Sequence, residues 1–181
     1  TQWSRLAARY LRKEFALSKE VKRATVHIAG MGLYELFING QRIGDQVLAP
    51  APTDYRKTIL YNTYDVTPQL RKENAIGVTL GNGRFYTMRQ NYKPYKIPTF
   101  GYPKLRLNLI VEYMDGSKET IATNTSWKLT TEGPIRSNNE YDGEEYDARK
   151  ELGAWTQTGY DDNRTKEIRS EVSRKGTGRS N

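Results

Sequence analysis

The sequence predicts an all-β fold, an antiparallel β-sandwich or jelly roll, on three observations. Apolar and polar residues alternate with period two in several short segments. Turn signals recur every 8–15 residues, and no 3.6-residue periodicity runs beyond about three turns. Many short strands at this spacing are the pattern of sandwiches and barrels rather than of βαβ units. At 181 residues the chain has the length of one domain with one sizeable core.

Each element follows from its own pattern. In RYLRKEFAL, Tyr10, Arg12 and Glu14 alternate with Leu11, Lys13 and Phe15, giving a first strand that Leu6 to Ala8 would precede as a helical turn. VKRATVHIAG (21–30) puts Ala24, Val26 and Ile28 on one face and the single histidine, His27, on the other. YELFINGQRIGD (34–45) is a hairpin, because Asn39-Gly40 supplies the two positive-φ residues of a type I′ turn. AIGVTLGNG (75–83) directs Ile76, Val78 and Leu80 inward. KLRLNLIVEYMDGSKETIAT (104–123) is the clearest alternation, with a second hairpin at Asp115-Gly116, and SWKLTTEGPI (126–135) adds a last strand. The sandwich is expected over 1–162. From 163 to 181 large apolar residues almost vanish, which predicts a basic, disordered tail.

Composition excludes several classes. There is no cysteine, so disulfides and thiolate metal sites are out. No apolar run reaches membrane-span length, and none has the form of a signal peptide. Thr1 in place of Met points to an excised or processed fragment. The net charge of +8 is split evenly: the tail holds six basic and two acidic residues, the rest 23 and 19. No nucleic-acid-binding motif accompanies that charge, so nucleic acid is not an expected partner.

Catalytic apparatus is hard to find. His27 sits mid-strand, no nucleophile elbow is present, and GMG (30–32) and GNG (81–83) are not phosphate loops. NNEYDGEEYDAR (138–149) gathers Glu140, Asp142, Glu144, Glu145 and Asp147, the residue type that glycoside hydrolysis and hard cations use. It lacks calcium-loop spacing, and a charge-rich turn of this kind is usually just solvated. The loop NGRFYTMRQNYKPYKIPTFGYP (82–103) interleaves six aromatic rings with Arg, Lys, Gln and Asn, and is longer than most connections. Such a surface suits sugar faces, single-stranded nucleic acid, or packing on a neighbouring domain. Asp45, Thr53 and Asp54 read as turn and capping groups.

Three separated blocks carry a family resemblance. LYELFINGQRIGDQVLAPAPTDYRKTILYNTYDVTPQL (33–70), NAIGVTLGNGRFY (74–86) and IRSNNEYDGEEYDAR (135–149) resemble, in order, the N-terminal β-sandwich of bacterial α-L-rhamnosidases, over roughly 8–160. Arg84-Phe85 departs from the Trp-Tyr of many members, and the tail after Asp162 does not resemble the family's continuation. The resemblance implies a jelly roll of galactose-binding-like architecture, with catalysis in a separate helical (α/α) toroid absent from this chain. It also implies a periplasmic or secreted setting. Two functions follow: an accessory structural module that buttresses the toroid, inert alone, or a carbohydrate-binding module for rhamnose or a plant glycan. For the second, the expected contacts are Asn82, Arg84, Tyr86, Asp142 and Glu144. No cofactor is required, though some related modules hold a Ca²⁺.

Overall fold

The computed structural model describes residues 6–86, 100–140 and 143–163, and the backbone of 166–167. Twelve strands are assigned among them: β1 (Arg9–Ala16), β2 (Val21–Met31), β3 (Leu33–Ile38), β4 (Gln41–Ile43), β5 (Asn62–Asp65), β6 (Glu73–Gly81), β7 (Lys104–Tyr113), β8 (Lys118–Ala122), β9 (Lys128–Thr130), β10 (Ile135–Asn139), β11 (Gly143–Tyr146) and β12 (Lys166–Glu167). The first sheet has the order β12-β9-β1-β6-β3-β4, the second β5-β2-β7-β8, and β10-β11 forms a separate hairpin. Every pairing is antiparallel. No α-helix occurs among the described residues, only 3₁₀ turns at Thr67–Gln69 and Ala148–Lys150. The expected antiparallel sandwich is the fold observed.

Period-two alternation builds the core. Leu36 and Ile38 of β3, Ile76, Val78 and Leu80 of β6, Ala24, Val26 and Ile28 of β2, and Leu107, Leu109 and Val111 of β7 are all buried. They meet in one apolar cluster between the sheets. Trp127 closes it, fully buried, with its indole N–H donating to the Ala122 carbonyl at 3.0 Å. A buried indole needs such a partner, since an unpaired donor in the core would cost about 1–3 kcal/mol.

The Asn39-Gly40 turn has φ of 52° and 82°, and pairs Ile38 with Gln41. Asn39 does more than turn the chain. Its amide donates to the Gln69 carbonyl at 2.8 Å and to Asn74 Oδ1 at 2.9 Å, while its Oδ1 accepts from the Ala75 N–H at 2.8 Å. Leu6 to Ala8 form no helical turn; the Ala8 N–H is taken instead by the Ile135 carbonyl at 3.0 Å. Three elements escape the sequence pattern, one of them β12 (Lys166–Glu167), which lies in the expected tail and pairs with β9. NTYD (62–65) is the edge strand β5, and the acidic run at 138–147 includes most of the β10-β11 hairpin.

After β11 the chain crosses the outer face of the first sheet as a strap, residues 147–162. Arg12, on that outer face, is only 3% exposed. Its guanidinium donates to the carbonyls of Trp155 and Gln157, both at 3.0 Å, and pairs with Asp162 at 2.6 Å. Gly77 makes room beneath: a Cβ there would lie 2.5 Å from Thr156 Cγ2 and 3.0 Å from Trp155 Cζ3.

Candidate functional site

Two long connections meet at one margin of the sandwich. One joins β4 to β5 (44–61); the other is the aromatic loop after β6. Tyr55 of the first packs edge-on against Phe85 and Phe100 of the second, with centroids 5.2 and 5.3 Å apart. Tyr86 stacks on Tyr102 at 5.9 Å, with 13° between the planes; Tyr86 is buried and Tyr102 is 54% exposed.

The first connection is firmly held. The Tyr34 N–H donates to the Ala49 carbonyl at 2.8 Å, and the Tyr64 hydroxyl donates to Gln46 Oε1 at 2.8 Å. Thr53 Oγ1 donates to the Thr58 carbonyl at 2.6 Å, and Asp54 accepts from the Arg56 N–H, as turn residues do. Yet this connection turns apolar side chains outward. Val47 is 78% exposed, Leu48 70% and Tyr61 65%, and Ile59 and Leu60 are exposed too. Leu48 has φ of +62°. A left-handed backbone at a side chain of this kind costs roughly 1–2 kcal/mol, so the conformation is not adopted for its own stability. His27 lies beside this margin, bonded to Thr63 Oγ1 at 2.9 Å and edge-on to Tyr61 at 5.9 Å.

The residues expected to contact sugar partly converge. Asn82 is buried: its amide donates to the carbonyls of Leu6 and Asn138 at 2.9 and 2.8 Å, and its Oδ1 accepts from Arg9 at 2.9 Å. That side chain latches the end of β6 to the β10-β11 hairpin. Burial lowers the pKa of the Arg9 guanidinium, with Tyr86 and Tyr102 opposing. Arg84 is exposed and pairs with Glu140 at 3.0 Å. Glu144 is exposed on β11, opposite Asn138. Asp142 lies outside the described residues, as does the middle of the aromatic loop, 87–99.

The other carboxylates of the acidic run have separate tasks. Glu145 accepts from Ser137 at 3.2 Å, and Asp147 caps the 3₁₀ turn while pairing with Arg149 at 2.8 Å. Hydrogen bonds from Arg149 hold the Asp147 carboxyl below its ordinary pKa. Among the described residues no three His, Asp or Glu side chains are grouped to hold an ion.

With this geometry in view, the relatives are informative. The profile of the alpha-L-rhamnosidase N-terminal domain family matches residues 19–179, running past Asp162. An alpha-L-rhamnosidase of Formosa agariphila is 46% identical over 161 residues, 86% of this chain but 17% of its own length. Among solved structures, the alpha-L-rhamnosidase from Dictyoglumus thermophilum shares 48% identity and a TM-score of 0.81, covering 89% of this chain and 17% of its own. The Streptomyces avermitilis enzyme, solved with L-rhamnose, gives 40% identity and a TM-score of 0.83 over 91% of this chain and 16% of its own. The chain thus spans about a sixth of the length of the relatives it matches and belongs to the alpha-L-rhamnosidase N-terminal domain family.

Proposed function

We propose that this chain is a non-catalytic accessory module of an alpha-L-rhamnosidase-type glycoside hydrolase, and that it buttresses a catalytic (α/α) toroid belonging to the same longer polypeptide. One observation carries this: the rigid 44–61 connection presents Val47, Leu48, Ile59, Leu60 and Tyr61 to solvent. Scattered apolar residues are ordinary on a surface, but five on one braced connection, one of them in a left-handed backbone, fit a contact surface. Sedimentation of the isolated chain tests it. The wild type is expected to self-associate with rising concentration, and Leu48→Asp/Tyr61→Asp, with an unchanged circular dichroism spectrum, to remain monomeric. A wild type that is monomeric throughout would contradict the proposal.

A second reading, carbohydrate binding, is supported by the half-exposed Tyr102 stacked on Tyr86 near the exposed Arg84–Glu140 pair. Titration with L-rhamnose, with and without Ca²⁺, tests it; affinity unchanged in both Arg84→Ala and Tyr86→Ala removes this surface from consideration.

A further inference from the structure

A cleft of about 500 Å³ opens on the other edge of the first sheet, between β1, β9 and the strap. Tyr10, Trp155 and Tyr160 supply its aromatic lining, and Thr130, Glu132 and Lys150 are among its polar groups. We infer that this cleft is a binding site for a neutral pyranose, separate from the 44–61 margin and from the Arg84 surface.

Three features support the assignment. The first is that the aromatic lining is built in. Trp155 is held edge-on by Tyr10 at 5.4 Å and by Phe37 at 6.3 Å, and it sits over a glycine in mid-strand. Glycine inside a strand weakens it, and its place here is explained by the close approach of Trp155 and Thr156. The Arg12 guanidinium lies 5.2 Å from the Tyr160 ring centroid, fixing that ring as well.

The second feature is charge. The cations around the cleft already have partners: Lys150 pairs with Glu132 at 3.1 Å, Arg149 with Asp147 at 2.8 Å, and Arg12 with Asp162 at 2.6 Å. Glu151 and Asp161, which also line the cleft, add acceptors for hydroxyl groups, whereas an anionic ligand would have to break one of those ion pairs. A neutral polyhydroxylated ring would not, since its apolar face packs on an aromatic ring while its hydroxyls meet the carboxylate and ammonium at the rim.

The third feature is rigidity. The strap backbone is fixed by Arg12, by the Gly40 N–H donating to Thr156 at 3.0 Å, and by the Gln157 N–H donating to Ala154 at 2.9 Å. A preformed cleft spends little ordering entropy on a small ligand. Its place is also away from β4 and the connection that follows it, because β9 and β4 lie towards opposite sides of the sheet.

The test is titration calorimetry of the whole chain against L-rhamnose, L-fucose, D-galactose, D-glucose, lactose and cellobiose. At least one is expected to give saturable heat at millimolar concentration. Trp155→Ala should weaken that binding at least tenfold and Lys150→Ala several-fold, with Arg84→Ala unchanged; Lys150→Ala alters only the rim and guards against a misfolded strap. No saturable heat with any of the six sugars would overturn the proposal. So would heat that survives both cleft variants, or heat abolished by Arg84→Ala alone.

Discussion

The Arg12 guanidinium donates to the Asp162 carboxylate at 2.6 Å across 150 residues of chain. This contact ties the first strand to the end of the strap. Lys128 of β9 also donates to Asp162, so one carboxylate joins β1, β9 and the strap. A buried guanidinium must be compensated, and the Glu14 carboxylate at 2.5 Å and the carbonyls of Trp155 and Gln157 complete the compensation. Arg12→Ala should therefore destabilise the chain by roughly 3 kcal/mol, because breaking such a network strands its partners. Denaturant unfolding measures the loss, and a cycle with Asp162→Ala should show strong coupling between the two.

Acid should loosen the same joint. Burial alone would raise the Asp162 pKa, but hydrogen bonds from Lys128 and Arg12 outweigh it and leave the pKa below its ordinary value. A carboxylate depressed by folding adds stability that is present above the ordinary value, about 3.9, and lost as pH falls through the lower folded value. Asp162→Asn should thus be less stable than wild type at neutral pH, with the gap closing below about pH 4. Urea unfolding at a series of pH values would show whether the curves converge.

Alkali acts through tyrosine. Burial first, and then the hydrogen bond to Glu119, pushes the Tyr113 pKa up to about 12. Burial and Tyr64 push Tyr34 up as well. Phenols raised by folding add stability that is complete below about pH 10 and is lost as pH rises through the folded value. Ultraviolet titration should show a set of tyrosines that ionise late. Tyr113→Phe should flatten the loss of stability between about pH 10 and 12.

Gly77 is a steric prediction. Alanine there would put its Cβ 2.5 Å from Thr156 Cγ2, which forces the strap to shift. The expected cost is about 1–3 kcal/mol, as for other overpacked sites. Thr156→Ala in the same chain removes the nearest atom and should recover part of it. Hydrogen exchange at the Gln157 amide would report the displacement.

Trp127→Ala should be the most damaging of these core changes, at about 3–5 kcal/mol, because the ring is wholly buried and its donor is used.

The core was legible because alternation states which face is buried: Val26, Val78 and Leu109 are where period two puts them. The outer face of the first sheet was not. Tyr10, Arg12 and Glu14 look like a solvated stripe, and nothing in that stripe announces a covering strap. Gly77 within a strand was the available signal, since it marks a close approach. The β10-β11 hairpin was hidden by its carboxylates, which suit a turn as well as an edge strand. Asn82 looked like a ligand contact from its neighbours in the loop. Its burial and three side-chain hydrogen bonds were beyond the reach of local sequence.

The proposed role of the 44–61 margin is to dock the rest of a rhamnosidase chain. The most direct test mixes this chain with the Streptomyces avermitilis relative from which the matching stretch has been removed, and measures association by calorimetry. Saturable binding in trans, lost in Leu48→Asp/Tyr61→Asp and retained in Trp155→Ala, is the predicted result. No association, or binding that the charged double variant leaves intact, would contradict it.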